Sequence, residues 1–220
     1  MDSLQDYIES HARTLQKDNA NITDFGRAVQ LARDYTEELN VHIPSPAACA
    51  FIEALAGTYP GRNAVMVSAA SPVLALHIAH GLRTGSVTVL EPDAETLAVI
   101  KKTMTIADLN PNKHRLLTTR RLDVLTRLAD ESYSLVYSAT PPVDMRRFIE
   151  SSWPLLHAGG TLILDNLLLD GTVSDSSRRD SNTVAARETI AYLEELNDAI
   201  VAQVPLDSGL VVVTKTSGQY

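Results

Sequence analysis

Apolar positions along the chain fall into two kinds of pattern. Short apolar runs occur at residues 64–67 and 87–90, and 115–119, 133–138 and 161–164 predict three further strands, each segment about the length of a strand covered on both faces. Helical spacing stands between them. Residues 93–108 place Leu97, Ile100, Met104 and Ala107 three or four apart, and 143–156 predict a further helix. The run 64–67 leads through a turn of small residues, Ser68 to Ser71, into an apolar helix opening at Pro72. Proline suits that first position because its missing N–H has no helical partner to lose, and Ser71 is placed as an N-cap. Strands alternating with helices of this length predict an α/β fold with a parallel sheet covered on both faces.

The two ends depart from this rhythm. Residues 1–38 predict two helices separated by KDNANIT, with Leu4, Tyr7, Ile8 and Leu15 on a loose apolar face and Thr23 placed to cap the second. A break at 42–46 precedes a helix from Pro46 to about Thr58, then the turn Tyr59-Pro60-Gly61-Arg62. A turn is expected at Gly159-Gly160, before the fifth strand. After a polar loop at 171–182 and a helix to about Asn197, apolar runs 200–204 and 210–214 flank Pro205-Leu206-Asp207-Ser208-Gly209. That spacing predicts an antiparallel hairpin. No repeat or linker divides the chain, so the expectation is one domain over 1–220, with a helical cap at 1–58 and a core at 64–215.

Composition narrows the function classes. A 220-residue chain with 45% apolar and 21% charged residues can bury a core of its own. A net charge of −8, with only five lysines, disfavours a nucleic-acid partner. The single Cys49 excludes an internal disulfide and a cysteine-based zinc site. No apolar run approaches ~18 residues and no secretory leader opens the chain, so no membrane association and a cytoplasmic location are expected.

Glu91 closes the second strand, where an acid can accept hydrogen bonds from ribose hydroxyls; the plainer reading is a polar strand end. His77 and His80 lie three apart and share a helix face, in packing or surface roles. Arg178 and Arg179 form a solvated pair or meet an acidic substrate. Asp144 favours the start of its helix through the dipole.

Four longer stretches carry a family resemblance. Residues 155–173, LLHAGGTLILDNLLLDGTV, are the most specific, joined by SVTVLEPDAETLAVIKK (86–102), RRLDVLTRL (120–128) and PLDSGLVVVTK (205–215). From His42 to Lys215 the chain resembles the cation-dependent, S-adenosylmethionine-dependent O-methyltransferases, the group of catechol and caffeoyl-CoA methyltransferases and their bacterial relatives. The resemblance implies a Rossmann-like class I methyltransferase with a seven-stranded, mostly parallel sheet, and a homodimer. It makes Glu91 the ribose-binding acid, puts Asp123 and Val124 near the adenine, and makes Asp165 and Asn166 metal ligands. For Asp123 a helix N-cap remains the alternative.

The departures fall where the chemistry would be. The family's first turn has alternating glycines; here Ser68, Ala70 and Pro72 stand in those places, and Met66 replaces the preceding acid. Ser68 and Ala70, which would meet the methionine end of the cofactor, each add a Cβ where the backbone must come close. The fourth strand normally ends in Asp-Ala-Asp-Lys, whose first Asp binds the cation and whose Lys helps deprotonate the acceptor. Here Ala139-Thr140-Pro141-Pro142 supplies neither. A Mg²⁺ or Ca²⁺ ion is therefore expected to bind Asp165 and Asn166 weakly or not at all, and no catalytic residue is identified. The expected function is S-adenosylmethionine-dependent O-methyl transfer to a small hydroxylated acceptor. The alternative is a degenerate, dimeric binding or scaffold protein.

Overall fold

The computed structural model describes residues 4–14, 17–18, 21–67, 71–119 and 122–217, with side chains throughout except at positions 5, 13, 14, 17, 18, 21, 22 and 123. The chain forms two compact units, Met1–Arg62 with Ala70–Thr118, and Asn63–Ala69 with Thr119–Tyr220. Seven strands, β1 (Asn63–Val67), β2 (Ser86–Glu91), β3 (Arg115–Thr118), β4 (Tyr133–Ser138), β5 (Leu156–Leu164), β6 (Ala199–Val204) and β7 (Leu210–Lys215), form one sheet in the order β3-β2-β1-β4-β5-β7-β6. The pairs β2–β3, β1–β4 and β4–β5 are parallel, whereas β7 runs antiparallel to both β5 and β6. Strand 63–67 thus lies inside the sheet, and the antiparallel hairpin that the two C-terminal apolar runs predict makes one edge. Among the described residues no helix is long and apolar enough to cross a membrane.

In the first unit, helices α1 (Leu4–Thr14), α2 (Asp24–Glu38), α3 (Pro46–Gly57), α4 (Pro72–Leu82) and α5 (Ala94–Ile106) accompany β2 and β3. Thr23 caps α2 as expected, accepting the Gly26 N–H at 2.9 Å. Ser45 does the same for α3, accepting from Ala48 at 3.1 Å, with Pro46 at its first position. Nearly all of α4 is buried, which explains why its sequence shows no amphipathic stripe. It packs tightly on α3 through Gly81, where a Cβ would stand 2.4 Å from the Glu53 carbonyl oxygen and 2.8 Å from the Ala56 Cβ. His114 fastens the start of β2, its Nδ1 accepting the Val87 N–H at 3.2 Å. Burial, helped by Lys113, pushes the His114 pKa down and keeps that acceptor unprotonated.

In the second unit, β4 is buried along its whole length. The predicted helix 143–156 stops early: α6 covers Pro142–Ser152, and a 3₁₀ turn follows at Trp153–Leu155. Pro154 has no N–H to continue the helical ladder. The expected turn at Gly159-Gly160 lies instead within β5. Pairing with β4 jumps from Tyr133↔Leu156 to Leu135↔Thr161, so residues bulge out of the ladder. Gly159 takes φ +84°, and a Cβ on Gly160 would meet the His157 carbonyl oxygen at 2.9 Å. Ser134 Oγ and His157 Nε2, 2.7 Å apart, hold the bulge to β4. Helix α7 (Ser181–Glu194) leads to the hairpin. Lys215 Nζ anchors that hairpin by donating to the carbonyls of Trp153 (3.0 Å) and Leu156 (2.8 Å). Trp153 Nε1 donates to Asp198 at 3.0 Å.

The α3–α4 contact gives a direct test. Gly81→Ala forces a methyl group into a rigid backbone contact and should cost about 1–3 kcal/mol of stability. Urea unfolding with an unshifted midpoint would show that the two helices are not in close contact.

Candidate functional site

The first unit presents Glu91 as the last residue of β2, only 1% exposed. A carboxylate that deep needs partners, and its Oε1 accepts the Asp93 N–H at 3.0 Å. Asp93 in turn caps α5, with Oδ2 2.7 Å from the Thr96 N–H and 2.8 Å from the Thr96 hydroxyl. The backbone hydrogen bond from Thr96 is the chief reason that the Asp93 pKa is lowered. The chain leaving β2 is thereby fixed, and the Glu91 carboxylate with it. At the head of α4, Ser71 occupies the N-cap position but makes no side-chain capping hydrogen bond; its φ and ψ are −114° and 78°. The capping expected there is not formed. Ser68 and Ala70 lie outside the described residues.

The second unit carries the other expected positions. Asp123 is the second residue of a 3₁₀ helix, Leu122–Arg127, rather than its N-cap; its side chain lies outside the described residues. Val124 in the same turn is half-buried. Beyond β4, Ser138 Oγ accepts the Thr140 N–H at 2.9 Å and donates to the Thr140 hydroxyl at 2.5 Å. This closes the turn where the family has its acid. Asp144 sits exposed in the first turn of α6, as its dipole role requires.

Asp165 and its neighbour part company at the end of β5. The Asp165 N–H continues the ladder to the Ser138 carbonyl at 2.8 Å. Its carboxylate is 8% exposed and accepts the Tyr137 hydroxyl at 2.5 Å. Asn166 takes φ 55° and is exposed. The sequence reading missed Tyr137. Its hydroxyl in a buried strand signals a polar partner, but nothing local says which one. Among the described residues no group of three or more His, Cys, Asp or Glu could hold a metal ion. One buried carboxylate already bonded to Tyr137, beside Ala139, does not fit an ion that takes about six oxygen ligands.

The two histidines have a partner that the sequence reading also missed. Glu53 of α3 lies between them, with Oε2 2.6 Å from His77 Nδ1 and Oε1 2.5 Å from His80 Nδ1. Phe25 of α2 stacks on His80 with ring centroids 4.2 Å apart and stands edge-on to His77 at 5.1 Å. Burial raises the Glu53 pKa, but the two imidazole hydrogen bonds and their charge outweigh it and hold the value at about 2.

Arg178 pairs with Asp180 at 3.1 Å on the surface, and Arg179 donates to the Ser176 and Arg178 carbonyls. Both serve the loop's own conformation. Arg187 of α7 ties that loop down, with Nε donating to the Val173 carbonyl at 2.8 Å and Nη1 to that of Arg178 at 3.0 Å.

A sheet ordered β3-β2-β1-β4-β5-β7-β6, with an acid closing β2, defines a Rossmann-like methyltransferase. Comparison with known proteins sharpens that class. The O-methyltransferase family model matches residues 27–216, and the chain belongs to that family. A Mycolicibacterium smegmatis protein named as a candidate O-methyltransferase is 31% identical over 188 residues, covering 85% of this chain and 90% of its own length. A crystal structure from Corynebacterium glutamicum superposes with a TM-score of 0.83 at 34% identity, covering 94% of this chain and 96% of that one. Likeness in fold alone extends to the Bacillus cereus O-methyltransferase in complex with S-adenosylhomocysteine. There the TM-score is 0.77 at 18% identity, with 95% of this chain and all of that one covered. It extends as well to TomG of Streptomyces achromogenes, involved in tomaymycin synthesis and crystallised with S-adenosylmethionine. Its TM-score is 0.77 at 16% identity, with 98% of this chain and all of that one covered.

Two measurements probe these clusters. Tyr137→Phe takes a hydrogen bond from a buried carboxylate and should cost about 1.5–3 kcal/mol in urea unfolding; an unchanged midpoint would mean that Asp165 does not depend on Tyr137. Glu53, whose folded pKa lies below its ordinary 4.5, contributes stability above that pH which is lost as pH falls towards about 2. Across that window the unaltered protein should lose on the order of 2–3 kcal/mol more than Glu53→Gln. Parallel stability curves would dissolve the histidine clamp.

Proposed function

We propose that this protein transfers a methyl group from S-adenosylmethionine to a hydroxyl oxygen of a small acceptor, without a divalent cation. The observation that carries the reading is Glu91, buried at the end of β2 with its carboxylate fixed by the Asp93 N–H. It stands where this family keeps its ribose-binding acid and accepts hydrogen bonds from the ribose hydroxyls. Asp123 and Val124 take the adenine end. Fold neighbours bound to S-adenosylhomocysteine and S-adenosylmethionine support the choice of methyl donor.

S-adenosylmethionine supplies a methyl carbon on a sulfonium, with sulfur leaving as a neutral thioether. The residues of this chain have two tasks, to hold the donor and to take the acceptor's proton. Asp165, oriented by the Tyr137 hydroxyl, takes the second. Its carboxylate accepts the acceptor's hydroxyl hydrogen as the oxygen–methyl bond forms and the carbon–sulfur bond breaks. The electron pair of the broken bond stays on sulfur. Asn166, exposed beside it, hydrogen-bonds the acceptor. The net charge of −8 favours a small acceptor over a nucleic acid. A cytoplasmic homodimer completes the reading, supported by the family resemblance and by Leu4 and Tyr7 exposed on α1.

One observation favours the second reading, a binding protein without catalysis: Ala139-Thr140-Pro141 follows β4 where the family places a ligand and a base. Titration calorimetry separates the two. S-adenosylhomocysteine should bind, and Glu91→Ala should weaken it roughly ten- to a hundredfold. With catechol-type acceptors Asp165→Asn should lower kcat by roughly a hundredfold or more while leaving S-adenosylhomocysteine affinity in place. No heat with either S-adenosylhomocysteine or adenosine would put the binding-protein reading ahead. Sedimentation at micromolar concentration should give twice the chain mass.

A further inference from the structure

A cavity lies wholly within the first unit, and none of the residues proposed for methyl transfer lines it. It measures about 340 Å³, within the range of small-molecule sites. Phe25, Pro46, Ala50 and Ala54 give it apolar walls, and Glu53, His77, His80 and Arg83 supply its polar lining.

Those polar groups are unequally satisfied. Glu53 is fully engaged, one carboxylate oxygen to each Nδ1. A carboxylate only accepts, so both Nδ1 atoms carry hydrogen and both Nε2 atoms are left over. His77 is 2% exposed, and its Nε2 is buried without a hydrogen-bond partner, an uncommon state for an interior polar atom. His80 Nε2 makes no hydrogen bond or ion pair with any described residue, and neither does the guanidinium of Arg83, an exposed residue whose charge is met by solvent until a ligand arrives. Arg83 also holds φ 58° and ψ −95°, a conformation that side-chain-bearing residues rarely adopt and that concentrates at ligand sites.

We propose that this cavity binds a small carboxylate with an apolar body, its head group on Arg83 and the His80 imidazole edge, its body against Phe25 and the alanines. A guanidinium offers two parallel donors matched to a carboxylate. The His80 imidazolium form offers its Nε2 as a further donor, whereas His77 Nε2 is closed off from the cavity by its burial. Glu53 already compensates the histidines, so Arg83 is the charge that the ligand must answer. A metal ion fits poorly, since Glu53 and both Nδ1 atoms are already bonded to one another and no group of three such side chains among the described residues could hold an ion. An inorganic phosphate would bring a second charge towards the Glu53 carboxylate and leave the apolar walls bare. A neutral alcohol would leave Arg83 unanswered.

The site is separate from the one proposed for the methyl donor. Ser68 and Ala70, the positions expected to meet the donor, precede α4 in the sequence, whereas His80 stands about 12 Å along the helix from Pro72 at 1.5 Å per residue. Arg83 follows its last turn. The two ligands therefore bind independently.

Benzoate is the probe, titrated against the full chain by calorimetry and by amide chemical shifts. It should bind saturably and shift signals of α3 and α4. Benzamide, its uncharged counterpart, should bind at least tenfold more weakly. Arg83→Gly should weaken benzoate by at least the same factor while raising the melting temperature, because it removes the fork and relieves the backbone together. His80→Gln should also weaken it, and S-adenosylhomocysteine affinity should be the same in both variants as in the unaltered chain. Failure of benzoate to saturate overturns the proposal. So does unchanged benzoate affinity in Arg83→Gly, equal affinity for benzamide, or displacement of benzoate by S-adenosylhomocysteine.

Discussion

β4 has no free side. Its six residues are buried on both faces, and both of its edges are hydrogen-bonded, to β1 on one side and β5 on the other. A strand so placed must satisfy every polar atom that it carries from within the protein. Ser134 does so through His157, Ser138 through Thr140, and Tyr137 through Asp165. The bulge in β5, the closed turn after β4 and the inward set of Asp165 all answer that one demand. The surroundings proposed for the acceptor hydroxyl thus follow from how a fully enclosed strand disposes of its hydroxyl groups.

How much of this was legible depends on how far apart the interacting residues lie. Strand 64–67 declared itself as an unbroken apolar run, the hairpin as two runs about a Pro–Gly turn, and the α2 cap as a Thr three residues before Gly26, because each signal is local. The bulge at Gly159-Gly160 was not legible as part of a strand. A glycine pair carries the same mark in a turn as in a ladder that has swollen to pass an obstacle, and only the jump in pairing at Tyr133 and Leu135 decides. Asp165 was legible as a site residue but not as the partner of Tyr137, 28 positions earlier. Glu53 was silent for the same reason, since its histidines stand 24 and 27 residues away on another helix. The resemblance carried the fold across these gaps. It could not say what fills a place that the family's residues have vacated.

That exchange changes the electrostatics of the proposed chemistry. A divalent ion would stabilise the negative charge of the attacking acceptor oxygen by raw charge. A buried carboxylate held by a phenol can only take a proton, so acceptors whose hydroxyl groups are already acidic gain most from it. Selectivity is then set by acceptor acidity rather than by a chelating pair of oxygens.

Trp153 is the single tryptophan of the chain, and it sits where α6 gives way to β5. Its ring lies 5.8 Å from the Lys215 ammonium, and its indole N–H is spoken for by Asp198 at the entrance to the hairpin. Its ultraviolet emission is consequently a private optical signal of the second unit, since the first contributes no indole at all. Undocking of the hairpin would remove an ammonium and a carboxylate from the chromophore at one stroke, so the colour of the emitted light follows the last strands into place while the histidine-bearing unit stays dark.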